Sequence, residues 1–370
     1  MTFLPFTRPT LDEEEFTSVQ EVLKSGWITT GPRVKELENN LASYIGGGVD
    51  VRLFNSATSA LEAVLIAKDI GPGDEVIVPA MSFVATANVV VRTGATPVFV
   101  DVDLASRNME AGAILPTITD KTRAIIPVHF AGRPVDMTPI YELADRHGLM
   151  VLEDAAQAIG TAYGGRQVGS HGNPVVFSFH PNKNMTTIEG GAIACQDTQL
   201  IKRLEAIRFH GIGQDDAGEM MVESWGGKMN LPDVCATVGL AQLKKLDGFN
   251  AKRRTLAQRY FEKMPRHPSL VFPSDAPGHS WHMFCVCLDF ESIGMTRVTF
   301  VEKFKEQEIM LGMHYPAIHL FGLYRRLGYG PGDFPNAERI GQQTLTLPLF
   351  PTMTVDDVDR VSAIFHDLLT

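Results

Sequence analysis

The chain has 370 residues, of which 44% are hydrophobic and 21% are charged, a composition typical of a globular protein with a large core and, at this length, two domains. Its formal net charge of −10 argues against general binding to nucleic acid or to an anionic membrane surface. No stretch reads as a secretion signal or approaches the length of a membrane span, so we expect a cytoplasmic protein. The cysteines (Cys195, Cys235, Cys285 and Cys287) form no C-x-x-C pair, which favours free thiols.

The first fifty residues predict an arm and two helices. Residues 1–10 contain two prolines and predict an extended arm. Apolar residues at helical spacing predict a helix over residues 12–25 and another over residues 34–44. Between them, residues 26–32 form a loop that is too apolar for a plain linker. Trp27 in this loop belongs either to the core or to the wall of a binding site.

From residue 51 onward, short apolar runs alternate with helical patterns. Predicted strands or apolar runs cover residues 51–54, 75–78, 97–102, 124–128, 149–152, 175–179 and 192–195. Predicted helices follow the first, second and fourth of these segments. This alternation predicts an α/β fold whose mostly parallel, doubly wound sheet is buried on both faces.

Near residue 240 the pattern changes. A long helix is predicted over residues 240–263 and leads into a region with fewer strands. Further segments are a strand over 280–290, a second strand over 310–314, and helices over 298–307 and 355–369. We therefore predict a large domain over residues 1–245, including the N-terminal arm, and a small α+β domain over residues 246–370.

Polar residues cluster where the predicted strands of the large domain end, which is where open α/β sheets bind their ligands. Residues 55–59 stand where a strand meets the N-terminus of a helix, whose free N–H groups favour a phosphate. Ser56 or Thr58 could equally be an ordinary helix cap. The segment has neither a Walker pattern nor a G-x-G-x-x-G pattern, which argues against a nucleoside triphosphate or NAD site.

Other strand ends carry further candidates. Asp154 follows a buried strand and needs a partner or a function, although the alternation does not decide whether Glu153 or Asp154 faces the cleft. A carboxylate facing a pyridine nitrogen would keep that nitrogen protonated. Lys183 follows the strand over residues 175–179, where desolvation favours its free amine, and the alternative is a solvated turn lysine. The aromatic side chain of Phe83 either stacks on the ring of a ligand or belongs to the core. The Ser178 hydroxyl either donates to a phosphate or hydrogen-bonds to a backbone group.

These candidates together fit one ligand. They provide a phosphate cradle, an aromatic plane, an acid for a ring nitrogen and a lysine for an aldehyde. The ligand with those groups is pyridoxal 5′-phosphate (PLP). No metal site is predicted.

The chain resembles the sugar aminotransferases of the DegT/DnrJ/StrS family over nearly its whole length, from residues 5–9 to residues 348–351. The resemblance rests on motifs at residues 26–32 (GWITTGP), 55–58 (NSAT), 153–157 (EDAAQ) and 178–184 (SFHPNKN). Within the family it is most similar to the UDP-4-amino-4-deoxy-L-arabinose–oxoglutarate aminotransferase branch. That similarity is carried by Phe179-His180, Lys183-Asn184, Glu189-Gly190-Gly191 and Trp281-His282.

The resemblance implies PLP-dependent fold type I, as in aspartate aminotransferase, and a role for each motif residue. Lys183 would hold the cofactor aldehyde and then move the proton of the reacting carbon. Asp154 would pair with the ring nitrogen, and Gln157 would lie near the ring hydroxyl. Phe83 would stack on the ring, where the arabinose branch usually has tryptophan. The residues implied to bind the phosphate are Ala57, Thr58 and Ser178.

Further residues are implied at the edge of the site. Asn230 matches an asparagine that reaches the phosphate from the partner subunit, which implies a homodimer with shared active sites. The residues implied to approach the substrate are Trp27, Thr29, His314, Tyr315 and His319.

The implied reaction is ping-pong transamination. Glutamate would give its amine to the cofactor and leave as 2-oxoglutarate, and a nucleotide-linked keto-sugar would then take the amine. A UDP-4-keto-pentose is the acceptor expected from the branch, as in lipid A modification. Another nucleotide-linked keto-hexose, with UDP, GDP or dTDP and amination at C3 or C4, remains open for O-antigen or antibiotic sugars.

Three other functions are less well supported by the sequence. A sugar 3-dehydrase of the same family would carry histidine in place of Lys183. A PLP-binding paralogue without activity would be expected to have lost Lys183 or Asp154. An NAD-dependent sugar oxidoreductase would need the glycine fingerprint that the chain lacks.

Overall fold

A computed structural model describes residues 3–215, 217–222 and 224–369. Its helices are α1 (Glu13–Ser25), α2 (Pro32–Ile45), α3 (Ala57–Ala67), α4 (Ala85–Thr93), α5 (Ala111–Ile114), α6 (Met137–His147), α7 (Thr198–Ile207), α8 (Asp233–Lys263), α9 (Arg297–Glu306), α10 (Gly322–Arg325), α11 (Pro335–Gln343) and α12 (Val355–Leu369). Its strands are β1 (Asp50–Phe54), β2 (Glu75–Pro79), β3 (Thr96–Val100), β4 (Thr122–Ile125), β5 (Met150–Val151), β6 (Glu153–Asp154), β7 (Ala162–Tyr163), β8 (Arg166–Gln167), β9 (Val175–Ser178), β10 (Gly191–Cys195), β11 (Ile212–Gln214), β12 (Met220–Val222), β13 (Leu270–Val271), β14 (Phe284–Leu288) and β15 (Thr344–Leu347). Short 3-10 turns cover Leu115–Thr117, Phe130–Gly132 and Ile318–Leu320.

The large sheet has the strand order β3-β2-β4-β5 on one side and β6-β9-β10-β1 on the other. The chain runs from β5 directly into β6, with only Leu152 between them. The Leu152 N–H donates to the carbonyl of Ile125 (3.0 Å), and the Asp154 N–H donates to the carbonyl of Pro127 (2.8 Å). These bonds join the two halves into one layer. Its strands are parallel except for β10, which runs antiparallel to β9 and β1, and the predicted α/β class is confirmed.

The antiparallel direction of β10 fits the absence of a helix in its connection to β9. A parallel neighbour of β9 would need a crossover of about a dozen residues or more, usually including a helix. Residues 179–190 contain no helix, so the chain turns back and β10 pairs antiparallel with β9. Lys183 lies within this turn.

Helices cover both faces of the large sheet. On β2, Val76 and Val78 belong to the apolar cluster of α3, whereas Ile77 packs in a separate cluster with Ile140 of α6. Because neighbouring residues of a strand point to opposite faces, a central strand covered on both sides is expected to be apolar at each of its buried positions. This explains why the strands appear in the sequence as continuous apolar runs.

The C-terminal part contains an antiparallel sheet of order β13-β14-β15. Its core cluster combines residues of α8, β14, α9 and α12, including Leu256, Phe284, Phe300 and Phe365. The predicted domain boundary at residues 245/246 falls inside α8, and the division into domains stays a prediction. No helix in the described ranges is long and apolar enough to cross a lipid bilayer.

The predicted elements and the observed ones differ most after residue 195. The predicted strand over 310–314 is wrong, because that segment forms only the isolated bridge of Gly312 with Thr346. The predicted strand over 280–290 is reduced to β14, and α8 begins at Asp233 rather than at residue 240. The elements without a prediction there include α7, α11, β15 and the hairpin of β11 with β12.

Asp233 joins the beginnings of two helices. Its side chain is 1% exposed and stands at the first position of α8. Oδ1 accepts from the N–H groups of Gly31 (2.8 Å) and Val34 (2.9 Å), and Oδ2 accepts from the N–H of Arg33 (3.1 Å). The helix-start amides of α2 thus receive their acceptors from α8.

Candidate active site

A cavity of about 350 Å³ lies beyond the carboxyl ends of β1, β2, β6 and β9. This volume is within the range of small-molecule sites. The predicted site residues that line it are Ala57, Thr58, Phe83, Asp154, Gln157, Ser178, Lys183, His314 and Tyr315. The structure therefore brings most of the predicted residues to one place, while their roles stay predictions.

The start of α3 forms one wall of the cavity. Ser56 is the N-cap, and its Oγ accepts from the N–H of Ser59 (3.0 Å), so the cap interpretation is confirmed for this residue. The N–H groups of Ala57 and Thr58 belong to the first turn and have no acceptor within the helix. A Cβ added at Gly191 would lie 2.4 Å from the Ala57 nitrogen, so only glycine lets β10 approach the helix start.

Asp154 faces the cavity from the end of β6. Its Oδ2 accepts from Thr86 Oγ1 (2.8 Å), and its Oδ1 accepts from the N–H of Ala156 (3.1 Å). Burial raises the pKa of the Asp154 carboxyl, while the two hydrogen bonds and the nearby Lys183 act in the opposite direction. A cation beside this carboxylate would be strongly favoured, because its charge would compensate for the water that the carboxylate loses on burial.

Lys183 lines the same cavity from the turn after β9, and its backbone N–H donates to the carbonyl of His180 (2.8 Å). Desolvation lowers the pKa of Lys183 to about 8, and the charge of Asp154 opposes that shift. The next residue, Asn184, is buried and donates to Asn250 Oδ1 (2.7 Å) and to the carbonyl of Ser280 (3.0 Å). A fraction of the Lys183 side chains is therefore uncharged near neutral pH, and the hydrogen bonds of Asn184 hold the turn in place.

The remaining wall is aromatic and amide-lined. Gln157 Oε1 accepts from the N–H of Ala131 (2.7 Å), which leaves its Nε2 on the side of the Tyr315 hydroxyl (3.5 Å). The ring of Phe83 is 53% exposed and lies 5.8 Å from that of Tyr315, centroid to centroid. Burial raises the pKa of the Tyr315 hydroxyl, so the tyrosine is a neutral donor.

His314 completes this side of the cavity. Its Nδ1 lies 2.8 Å from Thr346 Oγ1. Burial, reinforced by the charge of Lys183, lowers the pKa of His314 to about 4. The imidazole is therefore neutral at neutral pH and acts on a ligand by hydrogen bonding rather than by charge.

Two of the predicted residues lie in the loop before α2, outside the cavity wall. Trp27 is 58% exposed, so its interpretation as a core residue is wrong. Its Nε1 donates to the carbonyl of Thr30 (3.4 Å). The carbonyl of Thr29 accepts from the N–H of Asp233 (3.1 Å). Their predicted contact with substrate stays a prediction.

Asn230 and His319 also stand apart from the cavity wall of their own chain. The Asn230 side chain donates from Nδ2 to Thr30 Oγ1 (2.5 Å), and its Oδ1 is buried without a hydrogen-bond partner. His319 is fully buried, with Nε2 3.1 Å from Glu338 Oε1. The predicted contact of Asn230 with the phosphate in the active site of a second copy stays a prediction.

Several site residues were not predicted. Ser82, His180 and Asn182 line the cavity, and Thr86 holds Asp154 from the first turn of α4. The strand-end rule that identified Phe83 applies equally to Ser82, and Thr86 lies one helical turn after Ser82. His180 and Asn182 stand inside the motif around Lys183. Spacing alone gave no means of separating these residues from ordinary loop and cap positions.

The sequence model of the DegT/DnrJ/EryC1/StrS aminotransferase family matches residues 9–366. The chain belongs to this family. Similar solved structures include Spr1654 from Streptococcus pneumoniae in its PLP form, with 30% identity, a TM-score of 0.92 and full coverage of both chains. PseC from Helicobacter pylori, an aminotransferase involved in the biosynthesis of pseudoaminic acid, has 29% identity and a TM-score of 0.92, with 100% of this chain and 99% of PseC covered. DesI, solved in the presence of its TDP-sugar product, has 29% identity and a TM-score of 0.89, with 100% of this chain and 93% of DesI covered.

As a DegT/DnrJ/EryC1/StrS aminotransferase, the protein is a PLP-dependent enzyme of fold type I, and its cavity fits that cofactor. Unpaired N–H groups at Ala57 and Thr58 suit a phosphate. The exposed face of Phe83 suits a flat ring, and the buried carboxylate of Asp154 suits a protonated ring nitrogen. The amine of Lys183, with its pKa near 8, suits an aldehyde.

Proposed function

We propose that the enzyme transfers the amino group of glutamate to a keto-sugar carried on a nucleotide, giving an amino-sugar nucleotide and 2-oxoglutarate. The observation that carries the proposal is the common cavity of Lys183, Asp154 and the start of α3. It combines a partly neutral amine, a buried carboxylate and a phosphate-binding helix end. Bound PLP supplies the carbonyl that accepts the amine and the ring that withdraws electrons from the reacting carbon.

Lys183 is the residue to which we assign proton transfer. A base has to remove the proton from the donor carbon, and an acid has to return one to the cofactor. A group whose pKa is close to the working pH can do both, and burial brings the pKa of Lys183 to about 8. Lys183 also holds the cofactor between turnovers in this proposal.

The other lining residues bind and orient. Asp154, held by Thr86 and the N–H of Ala156, would keep a positive charge on the nitrogen of a bound ring. Gln157 would offer its Nε2 to the ring hydroxyl, because its Oε1 already accepts from the N–H of Ala131. The residues that we assign to the phosphate are Ala57, Thr58 and Ser178, and Phe83 is assigned to the ring face.

His314 and Tyr315 are assigned to the substrate side. Both come from the segment that follows helix α9, and both line the same cavity as Lys183. Since the His314 imidazole and the Tyr315 hydroxyl are neutral, they suit the hydroxyl and carbonyl groups of a sugar. Trp27, Thr29 and His319 remain proposed substrate residues on the resemblance alone.

A UDP-linked 4-keto-pentose is our first candidate acceptor, from the resemblance to the arabinose branch. A dTDP-linked keto-hexose is the second, because the similar protein DesI was solved with a TDP-sugar product. Phe83 in place of the tryptophan of the arabinose branch leaves more room above the ring, which favours testing both acceptors.

We further propose a cytoplasmic homodimer with shared sites. Asn230 lies outside the cavity of its own chain, and its Oδ1 is buried without a partner. In the proposed dimer it reaches the phosphate bound by a second copy. A site assembled from two copies would be incomplete in the monomer.

The first test is an absorbance spectrum of the purified protein before and after glutamate is added. We expect a visible band from the lysine-bound cofactor that moves to the near ultraviolet with glutamate and is restored by the correct keto-sugar nucleotide. UDP- and dTDP-linked acceptors compared in this assay identify the substrate. A protein that stays colourless after PLP is supplied, or a band that glutamate leaves unchanged, would refute the proposed half-reaction.

A further inference from the structure

A second, much smaller cavity lies between residues 105–107, the turn at residues 130–133 and residues 273–285. Its volume of about 10 Å³ is close to the lower limit for a single water-sized occupant. Among the residues that the structure describes, none lines both this cavity and the active-site cavity. Arg107 and Arg133 both line it, whereas none of its described lining residues is a carboxylate.

Arg107 is a buried cation whose partners are all uncharged. The side chain is 4% exposed. Nη2 donates to the carbonyl of Cys285 (2.9 Å) and to Cys287 Sγ (3.2 Å), and Nη1 lies 3.5 Å from Thr344 Oγ1. Burial raises the pKa of the Cys287 thiol, so this sulfur supplies no negative charge. Taking a guanidinium out of water without a counter-charge is costly.

The Nε of the Arg107 guanidinium makes none of these bonds. Nε is buried and has no hydrogen-bond partner among the described residues, although the side chain lines the small cavity. Buried donors in native proteins are almost always paired with an acceptor. The small cavity is the space in which that acceptor can sit.

Arg133 presents the same unpaired group from the other side. Its Nε is also buried without a partner. Asp103, Glu110 and Asp275 act on the charge of Arg133, and the first two line a separate, larger cavity that Arg133 also borders. The acidic residues thus offset part of the charge of Arg133, but none of them lines the small cavity that Arg133 shares with Arg107.

We propose that this cavity binds one monatomic anion, such as chloride, between Arg107 and Arg133. The charge of the lining disfavours a metal cation, and the small volume favours a monatomic anion over phosphate or sulfate. A water molecule fits the space but leaves the charge of Arg107 uncompensated. The anion connects the loop before α5, the strand β14 and the turn whose Ala131 N–H holds Gln157, and it therefore stabilises the wall of the active site.

The direct test is a crystal structure of the full-length PLP-bound enzyme grown in bromide, with data collected at the bromine absorption edge. We expect an anomalous peak within hydrogen-bonding distance of Nε of both arginines. Density in the cavity with no anomalous signal would identify a water molecule and overturn the proposal.

A solution test uses thermal unfolding of the PLP-bound enzyme at constant ionic strength, with gluconate replaced by chloride. We expect the Tm to rise by about 2 °C in 0.2 M chloride, saturably, as for a ligand that binds only the folded state. The rise should be lost in Arg107→Met. The matched control is Arg203→Met, because Arg203 donates to both carboxylate oxygens of Asp69 (2.8 and 2.9 Å) on the surface.

The outcomes separate clearly. An equal rise in the wild type and both variants would show a general salt effect and refute the site, as would no rise in the wild type. If Arg107→Met does not fold, Arg133→Met serves in its place, and the bromide structure of the wild type decides independently. None of these readouts depends on transaminase activity.

Discussion

The pKa of Lys183 can be measured directly in the cofactor-free enzyme. With a pKa of about 8, roughly one Lys183 amine in ten is neutral at pH 7, against fewer than about one in a thousand for an unperturbed lysine near 10.4. Since only the neutral amine attacks an acylating reagent, the reactivity of Lys183 should rise about tenfold between pH 7 and pH 9 and then level off. An unperturbed lysine would rise about a hundredfold over the same interval.

Competitive acetylation with acetic anhydride, followed by mass spectrometry of the peptide that carries Lys183, gives this titration, with a free amine as internal standard. The variant Asp154→Asn tests how the charge of Asp154 affects the pKa of Lys183. The charge of Asp154 raises the pKa of Lys183 against the effect of burial, so its removal should move the midpoint to lower pH. A wild-type midpoint near 10, or a midpoint that rises in Asp154→Asn, would refute our account of how burial and charge set this amine.

Three further outcomes test the site. Lys183→Ala should abolish transamination with an unchanged circular dichroism spectrum, and near-normal turnover would refute the assignment. Thr86→Val removes a hydrogen bond to a carboxylate, worth about 1.5–3 kcal/mol, and should weaken PLP affinity at least about tenfold in a fluorescence titration, while Thr86→Ser should stay close to the wild type. Mixing refolded Lys183→Ala and Asn230→Ala chains should restore about a quarter of the activity, because half of the dimers are mixed and each has one intact site, whereas no recovery would contradict shared sites.

The strands of the large sheet could be predicted from the sequence because their burial leaves a strong hydrophobic pattern. The apolar runs at residues 76–78, 124–128 and 175–179 are buried along their whole length, so they stand out without any knowledge of their neighbours. The residues after each strand could then be assigned to one edge of the sheet, which is why Asp154 and Lys183 were placed together although 28 residues separate them in the chain. PLP followed from their chemistry.

The residues that were missed depend on three-dimensional context. Thr86 looks like an ordinary residue of the first helical turn until Asp154 is seen beside it. The strand β15 has the sequence Thr-Leu-Thr-Leu, which is short and half polar, and its partner β14 lies far away in the chain. Trp27 has the composition of a core residue, but its loop lies at the surface of this chain, where no local pattern can show whether a second copy covers it.

The carboxylate of Asp233 has a consequence for how members of this family diverge. It supplies acceptors to three backbone N–H groups in the segment that carries the GWITTGP motif, about 200 positions away in the chain. A shorter or differently shaped loop before α2 would leave that carboxylate buried without donors. Insertions near residues 29–34 should therefore be found in natural relatives only together with a change at position 233, and grafting this loop between relatives should succeed only when both segments are exchanged.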